Sequence, residues 1–259
     1  MAARKQPFFP QNVADPVLFL LLSRISAVLQ GIPDVQWAGE GRMLYPEGLS
    51  SQSPSQGAKK SMADSLRSHF YAYISKIRWL QRWGLKRNVI NENVMEHSWE
   101  VATIAHVLGL IRNRHFGGTL DVNAVVVAAL YHDCGEVITG DMPSPIKYHS
   151  PEITLAYKAV EKQAERELLG LLPEDLQPDF RAVLLHEEIP HEHMQLIKAA
   201  DTLCAYLKCK AEVLAGNFEF SQAEKDVKAR LDRIELPEVG YFLDTFAPSY
   251  GLTLDELLK

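Results

Sequence analysis

The adjacent pair His132-Asp133 ends a run, Ala124 to Tyr131, that is apolar on every side. An aspartate is seldom buried unless it is paired or ligating, so a polar pair at that place needs a partner, and a metal ion is an efficient one. The plainer alternative is a helix end turning to solvent, with His132 as a simple cap. Two more residues bear on the choice. His97 falls on the stripe Val94, Val101 and Leu108 and so points inward, where a lone histidine is commonly a hydrogen-bonded core residue. Asp201 is embedded in the apolar stretch Leu196 to Ala205 and also needs a partner. Three separated helical segments thus each bring an imidazole or a carboxylate inward. Mixed nitrogen and oxygen ligation suits one divalent transition metal (Co, Mn, Zn, Fe, Ni or Cu) without choosing among them. Four protein ligands on an ion that prefers six leave positions for water and a phosphate oxygen.

These residues need helices to position them. The stretch Leu66 to Trp83 carries Phe70, Ile74, Ile77, Leu80 and Trp83 at helical spacing, which predicts one helix closed by Trp83. Asn93 is an N-cap with Glu96 three residues on, and the helix it opens ends near Gly117-Gly118. Asp121 starts the next. By periodicity alone the following apolar run reads equally as a buried strand; its length with flanks and its stop at Gly135 favour a helix buried on all sides. Ser150-Pro151 opens a helix to about Gly170, Pro173 opens another, and Gln195 to Leu214 is a long helix closed by Gly216. Ser221-x-x-Glu224 and Thr253-x-x-Glu256 read as capping boxes. No hairpin signal or repeat stands out. The expectation is an all-α domain of roughly seven to nine helices over residues 62–259.

Residues 1–61 read differently. Val17 to Leu29 suggests a short amphipathic helix, and residues 31–61 are rich in Gly, Pro, Ser and Gln, a composition that suits a linker. The extension is expected to be poorly ordered or partly helical, with the boundary at Met62.

Composition narrows the function. A net charge of -6 and a pI near 5.9, with no Lys/Arg cluster, argue against a partner such as duplex nucleic acid, though not against a small anionic substrate. Cys134, Cys204 and Cys209 form no C-x-x-C pair, so a disulfide framework or cysteine zinc site is not expected, and a reducing cytoplasm is the natural compartment. No apolar stretch reaches the length of a membrane span, and the N-terminal run is too interrupted for a signal peptide.

Five segments together carry a resemblance. They are Arg82-Trp83, Asn91-Glu92-Asn93-Val94-Met95-Glu96-His97-Ser98, Tyr131-His132-Asp133-x-x-Glu136, Gly140-Asp141-x-Pro143-Ser144-Pro145-x-Lys147-Tyr148 and Lys198-x-Ala200-Asp201-x-Leu203 through Lys208. In order and spacing they resemble the bacterial HD-domain 5′-deoxynucleotidase family, from about Met62 to the C-terminus. Residues 1–61 have no counterpart there. The resemblance implies an all-helical HD-domain bundle, one divalent metal, a homodimer, and hydrolysis of deoxyribonucleoside 5′-monophosphates to deoxynucleoside and phosphate. It makes His97, His132, Asp133 and Asp201 the metal ligands, and Glu136, Asp141 and Arg82 the catalytic groups. Arg82, Trp83, His97, Asp133, Asp141, Met142, Pro143, Ser144 and Asp201 become the substrate contacts, with Trp83 against the sugar.

Those roles suit the residue types. A carboxylate such as Glu136 can accept a proton from water, Asp141 can supply one to the leaving alkoxide, and the planar fork of Arg82 can grip phosphate oxygens. Without the resemblance each has a plainer reading: a solvated helix end, a turn residue after Gly140, a surface cation, and for Trp83 a core aromatic. His186, His191 and His193 lie among glutamates in what reads as a polar loop, away from the motif positions, and a second metal is not expected there. Two rival readings remain, another HD activity such as a triphosphohydrolase or phosphodiesterase, and a degenerate domain that senses a nucleotide.

Overall fold

The computed structural model describes residues 36–38, 42–44 and 67–259. The chain divides into two units, Met1–Lys60 and Ser61–Lys259. In the first, strands β1 (Gln36–Ala38) and β2 (Arg42–Leu44) pair antiparallel, with Gln36 opposite Leu44. No strand was expected within residues 31–61. The helix expected over Val17 to Leu29 and the Ser/Gln-rich run lie outside the described residues.

The described part of the second unit contains helices and turns. Helix α1 (Phe70–Ile74) runs into a 3-10 turn, Ser75–Trp79, and stops there. Then follow α2 (Val94–His115), α3 (Val122–Tyr131), α4 (Glu136–Thr139), α5 (Ser144–Lys147), α6 (Pro151–Gly170), α7 (Gln177–Leu184), α8 (His191–Leu214), α9 (Ser221–Leu231), α10 (Pro237–Thr245) and α11 (Leu254–Leu257). More helices form than expected because the segments after Gly135 and Pro143 close as separate single turns.

The caps explain the long helices. Asn93 Oδ1 accepts from the backbone N–H groups of Met95 and Glu96, and Glu96 reaches back to the Asn93 N–H, a complete capping box. Asp121 caps α3 through Ala124, and Ser150 caps α6 through Ile153. Glu256 accepts from the N–H and hydroxyl of Thr253. Ser221 forms no such box, because the 3-10 turn Phe218–Phe220 leads directly into α9.

Helices α2, α3 and α8 bury Val101, Leu108, Val125, Ala129, Leu196 and Leu203 in the main core, which α10 closes with Val239 and Phe242. A second cluster joins Phe70, Leu168, Leu172, Leu184 and Leu185 with Cys134 of the turn after α3. A third sets Phe220 and Val227 against Cys209. Helix α3 is not buried on every side as expected: Val127 and Leu130 are exposed on its outer face. All three cysteines are free and buried.

Three other expectations need correction. The helix predicted to reach Trp83 ends at Trp79, because the chain turns extended at Leu80. From there it pairs with the segment that precedes α2: Val94 N–H donates to Leu80 O (3.0 Å), Gln81 bridges Asn93, and Arg82 N–H donates to Glu92 O (2.9 Å). Long-range pairing overrides the local periodicity. The last of the long helices starts at His191, not Gln195, so His191 and His193 stand in its first turn. The helix after Pro173 likewise begins only at Gln177.

Candidate active site

Packing of α2, α3 and α8 brings their inward polar residues to one place. His97, near the start of α2, is fully buried; His132 caps the end of α3; Asp201 lies midway along α8. One ligand atom from each of the three lies within 4.8 Å of the others. Asp133 stands beside this cluster, its Oδ2 3.1 Å from His132 Nε2 and 3.6 Å from His97 Nε2.

The hydrogen positions favour a cation. His132 Nδ1 lies 2.7 Å from the carbonyl oxygen of Ala129, so that nitrogen carries the proton and Nε2 presents its lone pair. His132 Nε2 is buried, forms no aligned hydrogen bond and has the Asp133 carboxylate 3.1 Å away, so a cation between the two would satisfy both. His97 Nε2 faces Asp201 Oδ1 at 3.1 Å. Burial alone would lower the His97 pKa, but the contacts with Asp201 and Glu92 outweigh it and raise it to about 9. Burial also works against ionisation of Asp133 and Asp201. His132 beside the first and His97 beside the second nevertheless hold both below the usual carboxylate range. A divalent transition metal fits this donor set and would replace the imidazolium proton of His97 as the positive charge.

Arg82 sits next to the cluster on the extended segment after Leu80. Its Nη1 is 3.4 Å from Asp133 Oδ2 and its Nε is 3.2 Å from Glu92 Oε1. Burial opposes its charge, yet these carboxylates hold its pKa above the ordinary arginine value. Trp83 has φ 57°, the only non-glycine residue in the left-handed region among the described residues. Its Nε1 donates to Glu92 Oε2 (3.0 Å), and its ring meets Phe220 edge-on at 5.3 Å between centroids.

Arg82 and Trp83 form one wall of a cavity of about 480 Å3. Asp141, Met142, Pro143 and Ser144 form a second wall, and Ala223, Val227 and Arg230 of α9 a third. The size suits a nucleoside-sized ligand. Gly140, with φ 74°, makes the turn that presents Asp141. Burial, together with Asp133, raises the Asp141 pKa against the pull of Arg82. Glu136 opens α4, and one of its oxygens is buried without a partner. Burial, then the charges of Asp133 and Asp141, push its carboxyl well above the usual range.

His186 plays another part than a ligand. Its Nε2 is 2.9 Å from the carbonyl oxygen of His132 and its Nδ1 is 3.1 Å from Glu165 Oε1, so it braces the turn that carries the His-Asp pair. Reasoning from the sequence passed over Glu92. A lone glutamate in a polar run before an N-cap gives no signal of its own, and its role appears only when residues 80–83 fold against it.

Residues 69–250 match the family model of the YfbR-like 5′-deoxynucleotidases. The chain belongs to that family. A 5′-deoxynucleotidase of Vibrio vulnificus is 49% identical to it over 190 residues, 73% of this chain and 98% of that one. A 5′-deoxynucleotidase of Yersinia pestis is 48% identical over 190 residues, covering 73% and 96%. Among solved structures, an HD-domain phosphohydrolase from Listeria innocua superposes with a TM-score of 0.62 at 23% identity, over 70% of this chain and 88% of that one. That likeness establishes the HD-type helical fold. Within it, Arg82 of this YfbR-like 5′-deoxynucleotidase links the two features, lining the cavity while its Nη1 lies 3.4 Å from Asp133 Oδ2 beside the cluster.

Proposed function

We propose that this 5′-deoxynucleotidase hydrolyses deoxyribonucleoside 5′-monophosphates in the cavity beside Arg82 and Trp83, using one divalent transition metal held by His97, His132, Asp133 and Asp201. The observation that carries this reading is the position of Arg82. It lines the nucleoside-sized cavity and also reaches Asp133, beside the His97, His132 and Asp201 cluster. A phosphate gripped by Arg82 then lies between the cluster and a sugar seated against Trp83.

When bound, the metal supplies Lewis acidity toward the phosphoryl group and a source of hydroxide near neutral pH. The chain's own groups do the rest. Arg82 offers further N–H donors to the non-bridging phosphate oxygens. Glu136 takes the proton from the attacking water. Asp141 delivers a proton to the leaving 5′ oxygen. Met142, Pro143 and Ser144 line the cavity and exclude solvent from the sugar. His97, Asp133 and Asp201 stand close enough to Arg82 to meet the substrate phosphate as well.

On this reading residues 62–259 carry the reaction, and residues 1–61 are an addition to it. Among the described residues no helix is long and apolar enough to cross a membrane. Acidic net charge and three reduced, buried thiols support a cytoplasmic protein with no duplex nucleic acid as partner. Exposed Val127 and Leu130, one turn apart on α3, support pairing with a second copy of the chain.

A substrate panel tests the assignment. Thymidine 5′-monophosphate should yield thymidine and orthophosphate, while the 5′-triphosphate and a cyclic dinucleotide should be left largely intact. Release of triphosphate or opening of the phosphodiester would move the chain to one of the other HD activities, and nucleotide binding without turnover of any would make it a sensor.

A further inference from the structure

Between the sugar wall and the metal cluster lies one carboxylate that touches both. Glu92 is nearly buried, with 11% of its side chain exposed. Its Oε1 lies 3.2 Å from Arg82 Nε and 3.1 Å from His97 Nδ1. Its Oε2 accepts from Trp83 Nε1 at 3.0 Å, and its backbone carbonyl accepts from Arg82 N–H at 2.9 Å. A carboxylate has about four lone-pair sites, enough for three separate donors. Those donors belong to three different tasks: a proposed metal ligand, the phosphate grip and the sugar wall.

We infer that Glu92 is a positioning residue that sets metal affinity through His97 and deoxyribose selectivity through Trp83, and this rests on the functional reading above. The route to the metal is the His97 ring. Nδ1 is the ring nitrogen that faces Glu92, which leaves Nε2, facing Asp201 and the cluster, as the nitrogen whose proton a metal would displace. The route to the sugar is the indole. The Trp83 backbone is held at φ 57°, a conformation a bulky residue keeps only where its surroundings hold it. Phe220 meets the ring edge-on, but only Glu92 fixes its N–H and so its rotation about the Cβ–Cγ bond. Without that anchor the ring can swing aside and admit a 2′-hydroxyl.

Glu92→Gln keeps the shape and removes the charge. Its amide oxygen cannot accept from Trp83, Arg82 and His97 at once, and its NH2 group repels donors. In the full chain stripped by chelator, calorimetric titration with Co2+ should show affinity lowered by about tenfold or more, the usual size of such outer-shell losses. The ratio of kcat/KM for deoxy over ribo 5′-monophosphates should fall at least severalfold in the same protein. Trp83→Phe keeps a ring but lacks the N–H. It should lower that ratio while leaving Co2+ affinity within twofold of wild type, which separates the two routes. Glu92→Asp, which retains charge at shorter reach, should recover part of the Co2+ affinity. A folded Glu92→Gln protein in which either Co2+ affinity or the deoxy/ribo ratio stays within twofold of wild type overturns the inference. If the wild-type chain releases no phosphate from thymidine 5′-monophosphate, the functional reading fails instead, and the Co2+ titration needs no turnover to be read.

Discussion

His132 Nδ1 lies 2.7 Å from the carbonyl oxygen of Ala129, three residues earlier in the chain. That contact fixes the ring by its own helix and turns Nε2 toward His97 and Asp201, so on the proposed reading the histidine is oriented as a ligand before any ion arrives. His132→Ala or Asp201→Ala should therefore abolish turnover and reduce bound metal to a small fraction of wild type. Metal analysis of the purified variants by mass spectrometry checks this, and wild-type metal content in either would remove that residue from the site.

Glu136 is expected to affect the rate and not the metal. Its unpartnered oxygen is buried close enough to Asp133 and Asp141 for their charges to raise its pKa, and it is outside the His97, His132 and Asp201 cluster. Glu136→Gln should keep metal and substrate affinity and lower kcat by roughly 10²-fold or more, the usual worth of a positioned proton acceptor. An unchanged kcat would exclude it from proton transfer.

Stability should depend on a glutamate remote from the cluster. Glu212 of α8 is fully buried and accepts from the backbone N–H groups of Val89 (3.0 Å) and Ile90 (2.9 Å), from Asn217 and from Lys208. It ties the loop after Trp83 to the bundle. Glu212→Ala leaves a nearly buried ammonium and two backbone donors without that acceptor, and should cost about 3 kcal/mol in denaturant unfolding at pH 7. Burial opposes ionisation of Glu212, but these bonds hold its pKa at about 2, below the ordinary 4.5. A depressed folded-state pKa means the stabilisation is complete above pH 4.5 and disappears as pH falls toward 2. The gap between wild type and Glu212→Ala should therefore narrow on acidification, and a gap that widens would contradict the assignment.

Trp83→Ala should raise activity on ribonucleoside 5′-monophosphates relative to the deoxy substrates while lowering activity on the latter. A merely apolar pocket rejects an added hydroxyl by only about 10²-fold, so stronger discrimination needs a wall that clashes or buries the hydroxyl without a partner. The indole can be that wall because Glu92 and Phe220 contact it from two directions. Matched kcat/KM values for deoxy and ribo pairs decide it: an unchanged ratio makes Trp83 a packing residue.

Much of the scaffold can be read from local chemistry. Asn93, Asp121 and Ser150 cap where their side chains predict, because a cap needs only its own next three residues. The polar residues of the cluster are legible for a similar reason: His97 and Asp201 interrupt apolar helical stretches, and an inward polar group there calls for a partner. What stays hidden depends on contacts distant in sequence. The helix predicted to reach Trp83 is cut short by pairing of residues 80–82 with 92–94, which periodicity within one segment cannot register. The same pairing creates the left-handed turn at Trp83 and the junction at Glu92. The exposure of Val127 and Leu130 is hidden too, since an all-apolar helix does not announce which of its faces finds no neighbour.

The central claim is that a divalent metal held by His97, His132, Asp133 and Asp201 is required for phosphate release from a deoxyribonucleoside 5′-monophosphate. The direct measurement is orthophosphate release from thymidine 5′-monophosphate by the purified chain, by the same protein after chelator treatment and dialysis, and after return of Co2+ or Mn2+. The account predicts turnover in the first, loss in the second and recovery in the third. Full activity in the protein verified to be metal-free would contradict it.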